Sequence, residues 1–164
     1  MTYLITFTCY GSHLHGHESG SVDRTRCLPG SPPLETDPKR AARERRRMNQ
    51  PPYEMDRRRR EAVLAAIRER CGECHWRLLA AHVRASHVHI VVETDSRPER
   101  VMNDLKSYAS RRLNGLGLDA PTRKRWTRHG STRWLWKPEH VSAAIQYVVC
   151  GQGEAMVVYE ASEG

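Results

Sequence analysis

Two histidines separated by one residue interrupt an apolar run, and this pattern most constrains what the chain can fold into. His87 and His89 stand within the run 83–92. Because alternate residues of a β-strand point to the same face, both imidazoles project from one face while Val88 and Ile90 bury on the other. Two neutral imidazoles held side by side form half of a divalent-metal site. A structural reading stays open, with one ring hydrogen-bonded at a sheet end and the other exposed.

The charge of the chain favours a polyanionic partner. Its 27 Lys and Arg residues exceed its 19 Asp and Glu residues, which gives a formal net charge of +8. Nucleic acid is the commonest partner of such a chain, although a cationic surface can also serve solubility. The sequence has neither a run of about 18 apolar residues nor a signal-peptide pattern. We therefore expect no membrane partner and a cytoplasmic location, with the cysteines as free thiols.

Hydrophobic periodicity predicts one α+β domain over residues 1–164, with a polar, basic insertion at 11–53. Strands are predicted at 3–10, 77–84, 87–94, 131–136 and 155–159, and helices at 56–70, 95–113 and 138–150, with a short helix at 37–47 inside the insertion. The first six elements outside the insertion follow the order of the ferredoxin-like split β-α-β fold. This fold predicts an antiparallel sheet with helices on one face and the histidine doublet on the open face.

Two further motifs have metal-ligating residue types. The C-x-x-C-H motif at 71–75 matches a haem-attachment pattern. It lacks the export signal that haem attachment requires and the second ligand pair that zinc requires, so we interpret it as a helix end. His13, His15 and His17 have the same alternate spacing as the doublet. Their neighbours are glycine, serine and glutamate, which indicate a loop whose ordering would oppose metal binding.

A metal ion on a basic sheet would polarise a phosphate oxygen, and a tyrosine is one candidate nucleophile beside it. Tyr108 falls within the apolar stripe of its predicted helix, which indicates a core position. Tyr147 lies beside the apolar centre of the last helix, on the same flank as His140 and Gly151. That placement favours a ring that projects from the domain, although a boundary tyrosine that packs its ring fits the same pattern.

These motifs, in this order, resemble the single-tyrosine HUH transposases of insertion sequences, a group that includes the REP-associated tyrosine transposases. The resemblance rests on H-V-H-I-V-V at 87–92, a basic helix at 100–113, W-L-W at 134–136, A-I-Q-Y-V-V at 144–149 and G-Q-G at 151–153. It covers residues 3–10 and roughly 56–153, and it leaves the insertion outside.

The resemblance implies cleavage and rejoining of single-stranded DNA at hairpin-bearing sites, through a 5′-phosphotyrosine intermediate. His87 and His89 would ligate Mg²⁺ or Mn²⁺, and Tyr147 would attack the scissile phosphate. Many members act as dimers, so the resemblance also makes a homodimer a candidate assembly.

The third metal ligand is where the chain departs from the family pattern. Many relatives carry a glutamine one helical turn after the tyrosine, but here that position is Gly151 and Gln152 follows it. An ideal helix would point Gln152 towards the core stripe, whereas flanking glycines would end the helix and redirect it. We therefore take Gln152 as the candidate third ligand, with His140 and Glu93 as accessory candidates.

The predicted DNA-binding surface combines basic residues with one aromatic ring, which suits stacked bases and phosphates. Its members are Lys106, Arg111, Arg112, Arg123, Lys124, Arg125, Trp126 and Arg128. Trp126 is equally well explained as a core anchor.

Two other classes of function stay open at this point. The first is a catalytically silent, domesticated module that binds nucleic-acid hairpins and does not need Tyr147. The second is a metal-dependent phosphodiesterase in which His87 and His89 act with water and form no covalent intermediate.

Overall fold

A computed structural model describes residues 1–12, 39 and 49–163 of the chain. The strands are β1 (Thr2–Thr8), β2 (Arg77–Val83), β3 (His87–Glu93), β4 (Ser131–Trp134) and β5 (Val157–Glu160), and the helices are α1 (Arg57–Glu73), α2 (Pro98–Gly115) and α3 (Pro138–Cys150). Every strand and helix predicted outside the insertion is present. Apart from residue 39, the helix predicted at 37–47 lies outside the described residues, as do His13, His15 and His17.

The strands form one five-stranded sheet in the order β4-β1-β3-β2-β5. All neighbouring strands run antiparallel. The first four strands, with α1 and α2 as their long connections, have the split β-α-β arrangement. The predicted α+β, ferredoxin-like fold class is therefore confirmed, and β5 extends the sheet beside β2.

The main core lies between the sheet and the two connecting helices. Residues of β1 and β3 that alternate towards this face, such as Ile5 and Ile90, are fully buried against side chains such as Ile67 of α1 and Leu105 of α2. The opposite face holds a smaller cluster in which Ala144 and Val148 of α3 pack with Ala80 and Val91 of the sheet.

The third helix thus lies across the face that carries the histidine doublet, and this face is partly covered rather than open. The connecting helices do occupy one face, as expected. However, α3 has an apolar stripe of its own, and β2 and β3 present small apolar side chains on which that stripe can pack. The same packing brings α3 beside the histidines.

Local signals explain where α1 begins and ends. The Asp56 side chain accepts a hydrogen bond from the Arg59 backbone N–H at 2.9 Å, which caps the first turn. At the other end the Cys74 backbone N–H donates to the Arg70 carbonyl, and His75 follows with a φ of 56°. The C-x-x-C-H motif is therefore a helix end, and its two cysteines are free thiols.

A partly buried carboxylate connects the loop after α2 to the rest of the domain. Asp119 accepts hydrogen bonds from Tyr53 at 2.7 Å and from Arg59 at 3.0 Å, and it lies 3.4 Å from Arg125. Burial acts to raise the pKa of Asp119, but the hydrogen bonds from Arg59 and Tyr53 outweigh it and lower that pKa. None of the described helices has both the length and the apolar character needed to cross a membrane.

Candidate active site

The two histidines lie side by side on β3, as the strand periodicity predicts. Their ring centroids are 4.8 Å apart, and the ring planes meet at 79°. Across the β1–β3 ladder, His87 is opposite Thr8 and His89 is opposite Thr6. His87 is half-buried and His89 is buried, so the pair lies at the margin of the cluster beneath α3.

Hydroxyl groups orient both rings through the same nitrogen. Thr6 Oγ1 lies 2.8 Å from Nδ1 of His89, and Ser86 Oγ lies 3.1 Å from Nδ1 of His87. A hydrogen bond at one ring nitrogen determines which nitrogen a metal can take. A cation held by these two residues would therefore bind their Nε2 atoms.

The environment keeps His89 in its neutral form. Burial, and then the neighbouring ring of His87, lower the pKa of His89 to about 3. Only a neutral imidazole can ligate a metal, so near pH 7 this ring is in the metal-binding state.

The last helix brings Tyr147 to the doublet. Val148 of α3 is buried against the sheet, and its neighbour Tyr147, about 100° further round the helix, is 47% exposed. The ring of Tyr147 lies 5.7 Å from that of His89, centroid to centroid. Tyr108 instead lies on the other side of the sheet, where its hydroxyl donates to Glu73 at 3.0 Å. Of the two tyrosines weighed as nucleophiles, the structure thus places Tyr147 beside the histidines.

The end of α3 turns Gln152 towards His89. The helix ends at Cys150, and a Cβ added to Gly151 would lie 2.9 Å from the Tyr147 carbonyl oxygen and 3.1 Å from the ring atom Cδ2. The Gln152 side chain forms a hydrogen bond with the ring of His89. Its Nε2 atom is buried and has no hydrogen-bond partner among the described residues.

The two accessory candidates lie elsewhere. Glu93 pairs with Arg77 at 3.2 Å, and four residues of strand separate it from His89 by about 13 Å. His140 contacts the ring of Trp136 at 5.7 Å, and seven residues of helix place it about 10 Å from Tyr147 along the axis. Neither side chain is positioned to share a ligand with the histidine doublet.

Sequence reasoning missed a third histidine, His82, which is opposite His89 on β2. It is fully buried, and burial lowers its pKa. Its Nδ1 is 2.9 Å from the Val148 carbonyl, to which it donates, and its Nε2 accepts from the Met156 backbone N–H at 3.0 Å. The sequence signal that could have identified His82 was a histidine within an apolar strand. Thr6 could have been identified in the same way, as a polar residue that alternates with buried ones in β1.

Three of the residues predicted to bind DNA are held by bonds within the protein. Arg125 is only 3% exposed and donates to Asn114 at 2.8 Å as well as pairing with Asp119. Lys106 is buried, donates to the Thr127 carbonyl at 3.0 Å and also to the carbonyl of His129, and burial lowers its pKa to about 8. Trp126 is a core anchor: its ring contacts Phe7 edge-on at 5.1 Å.

The remaining predicted DNA-binding residues lie nearer the surface. Arg111, Lys124 and Arg128 are exposed, whereas Arg112 pairs with Glu69. Arg123 donates to Gln50 and to a backbone carbonyl.

Within residues 1–12, 39 and 49–163, no cluster of three His, Cys, Asp or Glu side chains could hold a metal ion. The set that the structure brings together contains two imidazoles and an amide, from His87, His89 and Gln152. An amide oxygen is also a metal ligand, so this set is still a candidate metal centre.

Comparisons with known proteins identify the family of the chain. A family model described as "Transposase IS200 like" matches residues 50–148, a span that includes the histidine doublet and Tyr147. The chain is also similar to a solved structure of a REP-associated tyrosine transposase bound to a REP hairpin, with 12% sequence identity and a TM-score of 0.45. That alignment covers 92% of this chain and 65% of the other, so the chain spans about two thirds of its length. No curated protein matches the chain.

Proposed function

Because this chain belongs to the IS200-like transposase family, we propose that it cleaves and rejoins single-stranded DNA through a covalent bond between DNA and Tyr147. The family predicted from the sequence motifs is thereby confirmed, whereas the chemistry is our proposal. The observation that carries it is the position of the Tyr147 ring, 5.7 Å from His89 and beside the histidine doublet. Because the Tyr147 side chain is half-exposed, its phenol oxygen can reach a phosphate bound next to the two histidines.

The donor set fits a divalent cation. His87 and His89 would supply imidazole nitrogens, and Gln152 would supply its amide oxygen in place of its present hydrogen bond with His89. The partnerless Nε2 of Gln152 supports this fit, because the amide is held at the site without both of its groups being satisfied. Mg²⁺ or Mn²⁺ would polarise a phosphate oxygen and neutralise the charge that develops on it.

The residues of the chain then account for the steps of strand cleavage. The Tyr147 oxygen attacks phosphorus, and its proton passes to solvent, which reaches the half-exposed ring. The bond from phosphorus to the 3′ oxygen breaks, and that oxygen takes a proton from solvent, which leaves a 3′-hydroxyl and a 5′-phosphotyrosine. Rejoining reverses these changes, because a 3′-hydroxyl attacks the phosphotyrosine and releases the Tyr147 hydroxyl.

We propose hairpin-bearing single-stranded DNA as the substrate. Of the basic residues predicted to contact it, Arg111, Lys124 and Arg128 are exposed and carry this part of the proposal. A homodimer is a further prediction, which light scattering of the purified chain tests.

A denaturing-gel assay for a covalent adduct tests the proposed chemistry. The protein is mixed with Mn²⁺ and labelled single-stranded hairpins from the DNA that flanks its gene. We expect a metal-dependent shifted band that Tyr147→Phe abolishes and Tyr108→Phe retains. His87→Ala and His89→Ala should also lose the band while they keep most DNA affinity, because phosphate contacts supply most of it.

Other outcomes assign other functions. If the band persisted in Tyr147→Phe and disappeared in Tyr108→Phe, the nucleophile would be Tyr108. Tight binding without an adduct, in both Mg²⁺ and Mn²⁺, would identify a silent binding module. Metal-dependent cleavage without an adduct would identify a phosphodiesterase that uses water.

A further inference from the structure

Two tryptophans separated by one residue are largely exposed where β4 ends. Trp134 is 55% exposed and Trp136 is 60% exposed, while Leu135 between them is buried. An indole is the largest apolar side chain, and rings in such positions commonly serve contacts with a ligand. Packing in the core therefore does not explain why tryptophan occupies these two positions.

Trp136 lies at the start of a row of rings that leads to the active site. Its ring is 5.7 Å from that of His140, in the first turn of α3. Seven residues later, about two helical turns, Tyr147 lies on the same flank of the helix about 10 Å along the axis. The ring of Tyr147 in turn lies 5.7 Å from His89. We call these four residues, Trp136, His140, Tyr147 and His89, the aromatic row.

Positively charged side chains lie near Trp136, at the end of the aromatic row that is farthest from His89. Lys137 Nζ lies 4.6 Å from the centre of the Trp136 ring. Arg133 is opposite Leu4 in the β1–β4 ladder, so its exposed side chain is on the α3 side of the sheet. Glu139 is the acidic residue of the first turn of α3, but it is turned about 100° from His140 around the helix. The charge beside Trp136 therefore suits a phosphodiester.

We propose that Trp136 stacks on an unpaired base of the DNA strand that enters the active site, with Lys137 beside the neighbouring phosphate. This inference rests on the proposed function for its substrate class. Aromatic stacking together with cationic side chains is how proteins hold single strands without reading their sequence. A base on Trp136 and a phosphate at Tyr147 would be joined by a short run of nucleotides along α3. Trp136 would thus determine which phosphate of the strand reaches the nucleophile.

Trp134 provides a matched control within the same segment. In the β1–β4 ladder it is opposite Tyr3, which belongs to the core on the α1 and α2 side of the sheet. Side chains of such opposed residues share a face. Trp134 is thus as exposed as Trp136 but lies on the face away from the aromatic row.

The test measures affinity for a fluorescently labelled oligothymidylate by anisotropy, in a Tyr147→Phe background that removes cleavage. Trp136→Ala should weaken binding by about 5- to 100-fold, the range that loss of one stacked base produces. Trp136→Phe should lose less because phenylalanine still stacks, and Trp134→Ala should bind as tightly as the parent. On a strand of the same length without bases, Trp136→Ala and the parent should bind equally, which a merely structural role would not produce.

Several results would overturn the inference. They are an unchanged affinity of Trp136→Ala, an equal loss in Trp134→Ala, the same loss on the base-free strand, or no binding of the oligonucleotide by the parent. A change in molar mass of Trp136→Ala by light scattering would assign the ring to a contact between copies of the chain. The adduct assay tests the proposed function separately. If Trp136→Ala alone weakens binding but no adduct forms, the single-strand site stands without the proposed chemistry. If an adduct forms but Trp136→Ala binds as tightly as the parent, only this inference fails.

Discussion

At the scale of single residues, the orientation of His89 depends on a hydroxyl from the neighbouring strand. Thr6 Oγ1 contacts Nδ1 of His89 at 2.8 Å, and such contacts determine how firmly a histidine presents its other nitrogen. Thr6→Val keeps the shape of the side chain and removes the hydroxyl. We expect its affinity for Mn²⁺, measured by titration calorimetry, to fall by about 10- to 100-fold.

Thr8→Val is the matched control for this change. Thr8 occupies the same face of β1, but its hydroxyl contacts that of Thr127 at 2.8 Å. Its Mn²⁺ affinity should equal that of the wild type. Equal losses in both variants would show that the hydroxyl of Thr6 has no special part in metal binding.

The glycine after α3 is required by a close approach of backbone and ring. A Cβ at position 151 would lie 2.9 Å from the Tyr147 carbonyl oxygen, so Gly151→Ala must displace the end of the helix. Since Gln152 follows directly, we expect the rate of adduct formation to fall at least about tenfold, the effect of losing one metal-orienting group. Quantified denaturing gels give this rate.

Gly72 of α1 offers a comparison, because a Cβ there would meet nothing within 4 Å. Gly72→Ala should retain full activity and gain about 0.4–1 kcal/mol in the free energy of unfolding, since alanine restricts the unfolded chain. If Gly151→Ala kept full activity, adduct formation would not depend on the observed position of Gln152.

At the scale of elements, His82 connects β2 to α3 and to the segment that leads into β5. Its two ring nitrogens bond the Val148 carbonyl, in a buried hydrogen bond, and the Met156 N–H, in a partly buried one. His82→Phe leaves two polar backbone groups without these partners, each at a cost of about 1–3 kcal/mol. We expect urea unfolding to show a loss of about 2–6 kcal/mol and adduct formation to slow as α3 loosens.

The variant His82→Gln separates the hydrogen bonds from the ring itself. Glutamine retains one donor and one acceptor, so it should recover part of both the stability and the activity. If His82→Gln were no better than His82→Phe, packing of the ring rather than its hydrogen bonds would be the important contribution.

At the scale of the whole molecule, Asp119 joins three parts of the chain that are distant in sequence. Its carboxylate bonds Tyr53 before α1, Arg59 within α1 and Arg125 in the loop after α2. Asp119→Asn leaves the buried Arg125 without its counter-charge. We expect the free energy of unfolding at pH 7 to fall by about 3 kcal/mol, as in other buried pairs that lose one partner. Asp95→Asn, at a fully exposed position, should leave it unchanged.

The pH dependence of stability follows from the same carboxylate. Its folded-state pKa is lowered, so its stabilisation is present above the unfolded value of about 4 and is lost as the pH falls through the folded value. Urea unfolding between pH 7 and pH 3 should therefore show a smaller difference between wild type and Asp119→Asn as the solution becomes more acidic. A constant difference across this range would contradict the assignment.

Local periodicity was sufficient to predict the order of the elements and two parts of the site. Strand alternation placed His87 and His89 on one face, and helical phase separated the exposed Tyr147 from Tyr108. These are properties of residues close together in the chain, so the pattern of apolar residues determines them. The same motifs were also sufficient to predict the family to which the chain belongs.

Long-range packing decided the rest. Three features depend on which elements meet across the sheet. They are the packing of α3 on the histidine face, the approach of Gln152 to His89 and the burial of His82. The buried state of Arg125 likewise depends on the loop that surrounds it. A sequence pattern shows which face of an element is apolar but not which surface covers it, because that surface comes from residues far away along the chain.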